Sequence, residues 1–351
     1  MPNTNTAKSI LWPDNSKIVL RTCFLYVGQG SCILLFVRDG NNYRLLLIDS
    51  NLDKERGGIN VPLLLKDLSS KLYAFVNTHP HDDHLRGISE ISSAVEIENV
   101  WHSGHNPGKE RGNYFSDLTK LIKEVETRNG KNAIVELSGT RDTKKLFDID
   151  YNILAPADHV KDDISDEDAE ARARRIHEHC AVLRFGKDPS WVLVTGDADL
   201  VAFREHITEY HKERLGAFLL DASHHGSRSF FKEDKDDEPY LDALKAIAPE
   251  FVAISAPEQK KSPHDHPHDD SVDLYVDQIG KKENVLHLGD SHKTVIFDIY
   301  EDGSHSNPKF DDGKLAKDYP LEDKKEDSWK TIAIKKMAEE ATVRPRPYYC
   351  G

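Results

Sequence analysis

His79-Pro80-His81-Asp82-Asp83-His84 puts three imidazoles and two carboxylates into six residues, and an apolar run, Leu72-Tyr73-Ala74-Phe75-Val76, leads into them. Imidazole and carboxylate are the donors that hold zinc and similar divalent ions in hydrolytic sites. Residues i and i+2 of an extended segment point the same way, so His79, His81 and Asp83 can face one pocket while His84 turns to a neighbouring point. That arrangement suits two metal ions a few ångströms apart on one short loop. The competing reading is a solvated His/Asp loop, since the chain carries 18 histidines. The strand-then-loop context weighs against it.

Four further pieces repeat the theme of a polar or metal-binding cluster beside a β-like run. They are His177-Glu178-His179 before Cys180–Phe185, Asp197 in Thr195-Gly196-Asp197-Ala198-Asp199, His224-His225-Gly226-Ser227, and His264-Asp265-His266-Pro267-His268. Loops at strand ends are where scaffolds place chemistry. Each piece is weak alone; in this order, with the opening cluster, they are specific.

The elements that must position these residues can be read from apolar runs and turn residues. Strands are expected at Lys17–Val27, Ser31–Val37, Tyr43–Ile48, Leu72–Asn77, Ile97–Trp101, Ala133–Leu137 and Leu146–Leu154. Ala181–Phe185 with Trp191–Val194 reads as a hairpin, and Ala217–Leu220, Phe251–Ser255 and Thr294–Tyr300 as later strands. Helical spacing marks Val61–Leu68, Leu85–Ser92, Phe115–Arg128, Leu200–His211, Tyr240–Ala246 and Ser271–Gln278. Asp158–Arg175 reads as an exposed, partly helical segment. After Glu301 the composition turns to Gly, Asp, Lys and Pro, with one weak helix at Ser328–Ala341 and then Arg344-Pro345-Arg346-Pro347-Tyr348-Tyr349. Residues 1–302 therefore read as one domain and 303–351 as a charged tail, disordered or docking a protein partner.

At 351 residues with 38% hydrophobic and 31% charged content, the chain has the composition of a soluble globular protein with a sizeable core. No apolar run is long enough to span a bilayer, and the polar start, Met1–Asp14, lacks a secretory pattern. A cytoplasmic location without membrane attachment is the expectation. The four cysteines, Cys23, Cys32, Cys180 and Cys350, form neither a disulfide framework nor a zinc ribbon. A net charge of −14 argues against a broad basic surface for nucleic acid, but not against a nucleotide or nucleic-acid end as substrate.

Several stretches together resemble metallo-β-lactamase-fold hydrolases, and more narrowly the soluble metal-hydrolase domain of ComEC-type DNA-uptake proteins. Tyr26-Val27-Gly28-Gln29-Gly30-Ser31 resembles that branch's opening motif, and Leu46-Leu47-Ile48-Asp49 its strand ending in a structural Asp. Thr78–Gly87 is similar to the HxHxDH loop, Thr195-Gly196-Asp197 to the bridging-aspartate strand, and Ser223-His224-His225-Gly226-Ser227 to the HHGS signature. The resemblance covers roughly Lys17 to Tyr300. It implies an α+β fold, an αββα four-layer sandwich. It implies one metal on His79, His81 and a histidine before Cys180, with both His177 and His179 on offer and His179 preferred. A second metal would take Asp83, His84 and His225, with Asp197 bridging both. His224, His266 and Asp199 become candidates for contacting substrate or moving protons, and Asp49 for orienting the metal loop. Gly28, Gln29 and Gly30 read as a supporting turn, and His102 and His105 as surface histidines.

The implied chemistry is hydrolysis by a metal-bridging hydroxide, with two divalent ions, zinc first and manganese or iron also suited. The branch leans toward phosphodiesters, in a nucleotide or nucleic acid. Another small ester, a lactone or a β-lactam is the alternative substrate. A non-catalytic metal-binding module, regulatory or partner-docking, is the alternative class.

Overall fold

The computed structural model describes residues 6–107 and 113–321. Six strands come first: β1 (Ile18–Phe24), β2 (Ile33–Asp39), β3 (Asn42–Ile48), β4 (Lys71–Asn77), β5 (Glu96–His102) and β6 (Ile134–Glu136). Seven more follow: β7 (Lys144–Leu146), β8 (Ile149–Ala155), β9 (Val182–Lys187), β10 (Ser190–Val194), β11 (Leu219–Asp221), β12 (Phe251–Ile254) and β13 (Val285–His287). The chain then returns through β14 (Val295–Tyr300) and β15 (Lys309–Phe310) to the first group. The first sheet has the order β15-β14-β1-β2-β3-β4-β5-β6 and the second β13-β12-β11-β10-β9-β8-β7. Each sheet has an antiparallel part, β14-β1-β2-β3 and β10-β9-β8-β7, and a parallel part, β3-β4-β5-β6 and β10-β11-β12-β13.

Continuous apolar strands of this kind are buried on both faces. In β2, Ile33, Leu35 and Val37 join a core shared with Leu183, Phe185, Val192 and Leu219 of the second sheet. The alternate residues Leu34 and Phe36 pack instead with Leu64, Leu65, Leu118 and Val125 of helices Val61–Leu68 and Asn113–Asn129. On the other side, Val182, Leu193 and Leu220 meet Phe203, Leu244 and Tyr275 from helical segments. Three apolar layers thus separate helix, sheet, sheet and helix, which is the αββα sandwich. Phe230 and Phe231 are buried in the last of these layers, so they serve packing.

Several boundaries differ from the sequence reading for local reasons. Leu146–Leu154 is two antiparallel strands, because Phe147 turns the chain with φ 53°. The expected helix at Leu85–Ser92 is Asp82–Leu85 and Ile88–Ala94, divided at Gly87 with φ 94°. Leu200–His211 is helical as expected but contains a π-helix over Ala202–Ile207. The domain continues to Leu321 rather than ending at 302. Leu315, Tyr319 and Leu321 are buried in the first helical layer, and Tyr319 Oη donates to Asp67 Oδ2 at 2.9 Å. Those few anchors outweigh the charged composition around them. The expected helix at 328–341 and the Arg-Pro stretch lie outside the described residues. Among the described residues, no helix is long and apolar enough to cross a membrane.

One buried ion pair ties the neighbouring strands β1 and β14 of the first sheet together. Arg21 of β1 donates to Asp298 of β14 through Nε at 2.6 Å and Nη2 at 2.8 Å. Asp298 is fully buried and also accepts from Lys309 Nζ at 2.8 Å. Removing one partner of such a pair strands the other charge away from water. Asp298→Ala is therefore expected to lower stability by about 3–5 kcal/mol in urea unfolding; a loss below about 1 kcal/mol would put this pair among the weak surface bridges.

Candidate metal centre

The parallel strands β3 and β4 end side by side, and the loops after them carry the first donors. Asp49, just past β3, is left-handed at φ 54° and buried. Its Oδ1 accepts from the Thr78 amide at 2.8 Å and from Asn77 Nδ2 at 3.2 Å, and its Oδ2 from Thr78 Oγ1 at 2.6 Å. His84 Nδ1 lies 2.7 Å from the same Oδ2. A carboxylate only accepts, so His84 carries its proton on Nδ1 and turns the Nε2 lone pair into the site. The Val27–Gly30 turn packs on this loop so closely that a Cβ at Gly30 would strike the Asp83 carbonyl.

Two groups of donors converge. His79, His81, His177 and Asp197 form one, and Asp83, His84 and His225 the other, with ligand atoms within 4.8 Å of one another in each. In the first, His79 Nε2 lies 3.0 Å from His81 Nδ1, and His177 Nε2 lies 3.2 Å from that same atom. Asp197 Oδ2 is 3.5 Å from His79 Nε2 and 3.8 Å from His177 Nε2. In the second, His225 Nε2 is 3.2 Å from His84 Nε2 and 3.3 Å from Asp83 Oδ2. Asp197 presents its other oxygen here, with Oδ1 3.1 Å from His84 and 3.5 Å from His225. Four donors about 2.1 Å from a tetrahedral ion sit about 3.4 Å apart, so both spacings fit a divalent metal.

The second sheet supplies the other half of the site. Asp197 follows β10 on a turn where Gly196 is left-handed, and a Cβ there would lie 2.6 Å from Thr78 Oγ1. The loop after β11 holds three consecutive positive φ values, His224 at 49°, His225 at 57° and Gly226 at 78°. Two adjacent non-glycine residues in that region cost roughly 1–3 kcal/mol each, and such strain collects at functional sites. The His224 amide is tied to the Gly196 carbonyl at 2.9 Å, which docks this loop on the aspartate turn. His225 Nδ1 donates to the Ser255 carbonyl at 2.9 Å, so its Nε2 also faces the site as a lone pair.

Charge in the clusters is arranged for cations. Burial holds His79 and His177 well below the usual imidazole range, helped by His84 and His224 respectively. Burial works to raise Asp83 and Asp197, yet the His225 hydrogen bond and the nearby His84 hold Asp83 well below the carboxylate range, and His84, His224 and His225 do so for Asp197. His84 and His225 are raised by Asp197, against burial. Without a cation, the Asp197 charge favours an added proton on the Nε2 of each, and a bound ion would take that proton's place on the lone pair.

His177, not His179, faces the first cluster, which corrects the sequence preference. The Ile176–Cys180 segment is a tight turn, with the His179 amide donating to the Arg175 carbonyl at 3.1 Å and the Cys180 amide to the His177 carbonyl at 3.2 Å. In such a turn residues i and i+2 diverge, whereas in a strand they coincide. Glu178 is held between Arg175 Nε at 2.6 Å and His206 Nε2 at 3.0 Å. His179 points away and meets His105 Nδ1 at 2.9 Å, so His105 is buried rather than a surface histidine.

A cavity of about 560 Å³ opens over the clusters, lined by Gln29, His81, Asp82, Asp83, His177, Asp197, His224, His225, His264 and His266. His224 Nε2 is 3.6 Å from Asp197 Oδ2, and its Nδ1 is 2.8 Å from Ser229 Oγ. His266 is buried, its pKa pushed down to about 2 by burial and by His225 and His224. Asp199 is not among the lining residues. Its Oδ1 accepts from the Ala202 amide at 3.0 Å, the use of an acidic residue at a helix start, and that departs from the expectation of a proton-transfer group. Gln29 and Asp82 are lining residues not foreseen as such; for Gln29 the signal was a long polar side chain between two glycines beside the metal loop.

The Asp49 clamp should be felt at the metals. Asp49→Asn replaces an acceptor oxygen by an NH2 facing donors. It is expected to weaken metal binding about 10–100-fold, measured by competition with a chromophoric chelator, with less effect on the folded-state circular dichroism. Unchanged affinity would show that the loop holds its shape without the clamp.

No protein-family model matches the chain, and no curated protein matches it. Among solved structures it is similar to CmlA, a diiron β-hydroxylase from Streptomyces venezuelae, with 15% identity and a TM-score of 0.44 over 78% of this chain and 53% of that one. The chain therefore spans about half the length of that relative. It is also similar to the metallo-β-lactamase fold protein YhfI from Bacillus subtilis, with 12% identity and a TM-score of 0.39 over 73% of this chain and 93% of that one. A diphosphatase from the PhnP family has 14% identity and a TM-score of 0.39 over 77% and 94%.

Proposed function

We propose that the chain is a metal-dependent hydrolase acting on a phosphodiester, in a nucleotide or at a nucleic-acid end. The observation that carries this reading is two donor clusters sharing Asp197 at the floor of an open cavity lined only by imidazole, carboxylate and amide groups among the described residues. A wall of that kind suits a charged tetrahedral group better than an apolar one. His79, His81, His177 and Asp197 Oδ2 would hold one ion, and Asp83, His84, His225 and Asp197 Oδ1 the other. Zinc is the leading choice, and manganese or iron suits the same donors. Bound there, two cations supply positive charge that makes water a nucleophile near neutral pH and steadies charge on the attacked group.

The chain's own residues do the rest. Asp49 and the Ser255 carbonyl fix the tautomers of His84 and His225, so the donors are set before a metal arrives. His224, anchored at Nδ1 by Ser229, keeps Nε2 toward the cavity to take or return a proton. His266, held neutral, contributes a hydrogen bond and no charge. No serine or cysteine nucleophile is needed, because Ser223 Oγ is spent on the Ala198 carbonyl and Cys180 is buried.

Purified protein is expected to carry about two equivalents of divalent metal by elemental analysis and to hydrolyse bis-p-nitrophenyl phosphate, with a chelator abolishing activity. Asp83→Ala/His84→Ala should lose more activity than the roughly 10–100-fold typical of an outer-shell partner. Unchanged activity in that variant would sink the two-metal reading. Turnover of a lactone or a β-lactam in place of the phosphodiester would reassign the substrate, and metal-free protein without activity would leave a non-catalytic module.

A further inference from the structure

Gln29 sits in the Val27–Gly30 turn, 5% exposed, and is one of the residues lining the cavity. Which end of the amide meets Ser262 follows from that residue's other hydrogen bonds. Ser262 Oγ accepts from the His266 amide at 2.9 Å and from the His264 amide at 3.3 Å. A hydroxyl has two lone pairs and one hydrogen, so both lone pairs are occupied and the hydrogen must be donated. Its remaining partner is Gln29 at 3.1 Å, which must therefore present Oε1. The NH2 group is then turned the other way. It is buried and makes no hydrogen bond among the described residues. A buried donor without a partner costs about 1–3 kcal/mol, so its retention calls for an acceptor that arrives from outside.

The backbone around Gln29 fixes that orientation. Its amide donates to Asp53 Oδ2 at 3.3 Å, its carbonyl accepts from Asn51 Nδ2, and the next residue packs on the Asp83 carbonyl. No lysine or arginine lines the cavity among the described residues. An anionic group entering over the clusters thus meets imidazoles and one carboxamide as the side-chain donors among the described lining residues.

We propose that Gln29 is a substrate-binding residue whose Nε2 donates a hydrogen bond to a non-bridging oxygen of the phosphoryl group, while its Oε1 holds the His264–His266 loop through Ser262. This rests on the metallohydrolase reading and adds a specificity-determining contact to it. The two ends of one amide therefore link ligand recognition to the loop that carries His266.

Inorganic phosphate titrated into the metal-loaded full-length chain by calorimetry tests this, with metal content measured on each variant. Gln29→Glu keeps an acceptor for Ser262 but loses the donor, and Gln29→Met is neutral and loses both. Both are expected to weaken phosphate about tenfold or more with two metals still bound, and to raise KM more than they lower kcat. Ser262→Ala removes only the loop tie and is expected to stay within about threefold of the parent. Parent-like phosphate affinity in Gln29→Met would overturn the proposal while leaving the metallohydrolase reading standing. A parent chain that holds metal but binds no phosphate would overturn both. Loss of metal from the Gln29 variants would also overturn it, by making the residue a support of the metal loop.

Discussion

The carboxylate of Asp49 is the constraint on which the site depends. It is buried at the point where two parallel strands end, and it takes hydrogen bonds from an amide, a hydroxyl, a carboxamide and an imidazole. Such a charge is tolerable inside a protein only because each lone pair is used. The same bonds bend the chain after β4 so that His79 and His81 leave the strand toward one cluster and Asp83 and His84 toward the other. One residue that touches no substrate thereby sets the geometry of four that could hold metals.

Asp197 plays the corresponding role for the second sheet. Its two oxygens face different clusters, and the turn that carries it fits only because Gly196 has no side chain to meet Thr78 and Cys180. The His224-His225 loop is docked on that turn in a left-handed backbone that neither histidine would adopt unaided. The strain is sustained by the packing of three apolar layers, whose central one joins both sheets. Fold stability and site geometry are therefore linked: anything that lets the sheets slide would separate His84 from His225, which meet across the interface at 3.2 Å.

Much of this was legible in the residues. Continuous apolar runs marked the strands because both faces of each sheet are covered, and the order of the histidine and aspartate clusters marked the chemistry. What was missed has physical causes. His177 and His179 are equivalent in composition, and only the tight turn before Cys180 sends them to opposite sides. Asp199 looked like a second acid beside Asp197, yet it is spent on a helix start. Gln29 looked like part of a turn because its partner, Ser262, is 233 residues away. The charged stretch after Glu301 hid three apolar anchors, Leu315, Tyr319 and Leu321, that complete the first helical layer.

The sequence by itself determined the inventory: which side chains can bind metal, which runs must be buried, and where turns interrupt them. These are local properties, carried by side-chain chemistry and periodicity. The tertiary structure alone decided which imidazole nitrogen points where, which of two adjacent histidines serves, and that Asp197 stands between both clusters. Those outcomes depend on contacts between two sheets whose strands are far apart in the chain, and on backbone conformations that only the assembled core can hold.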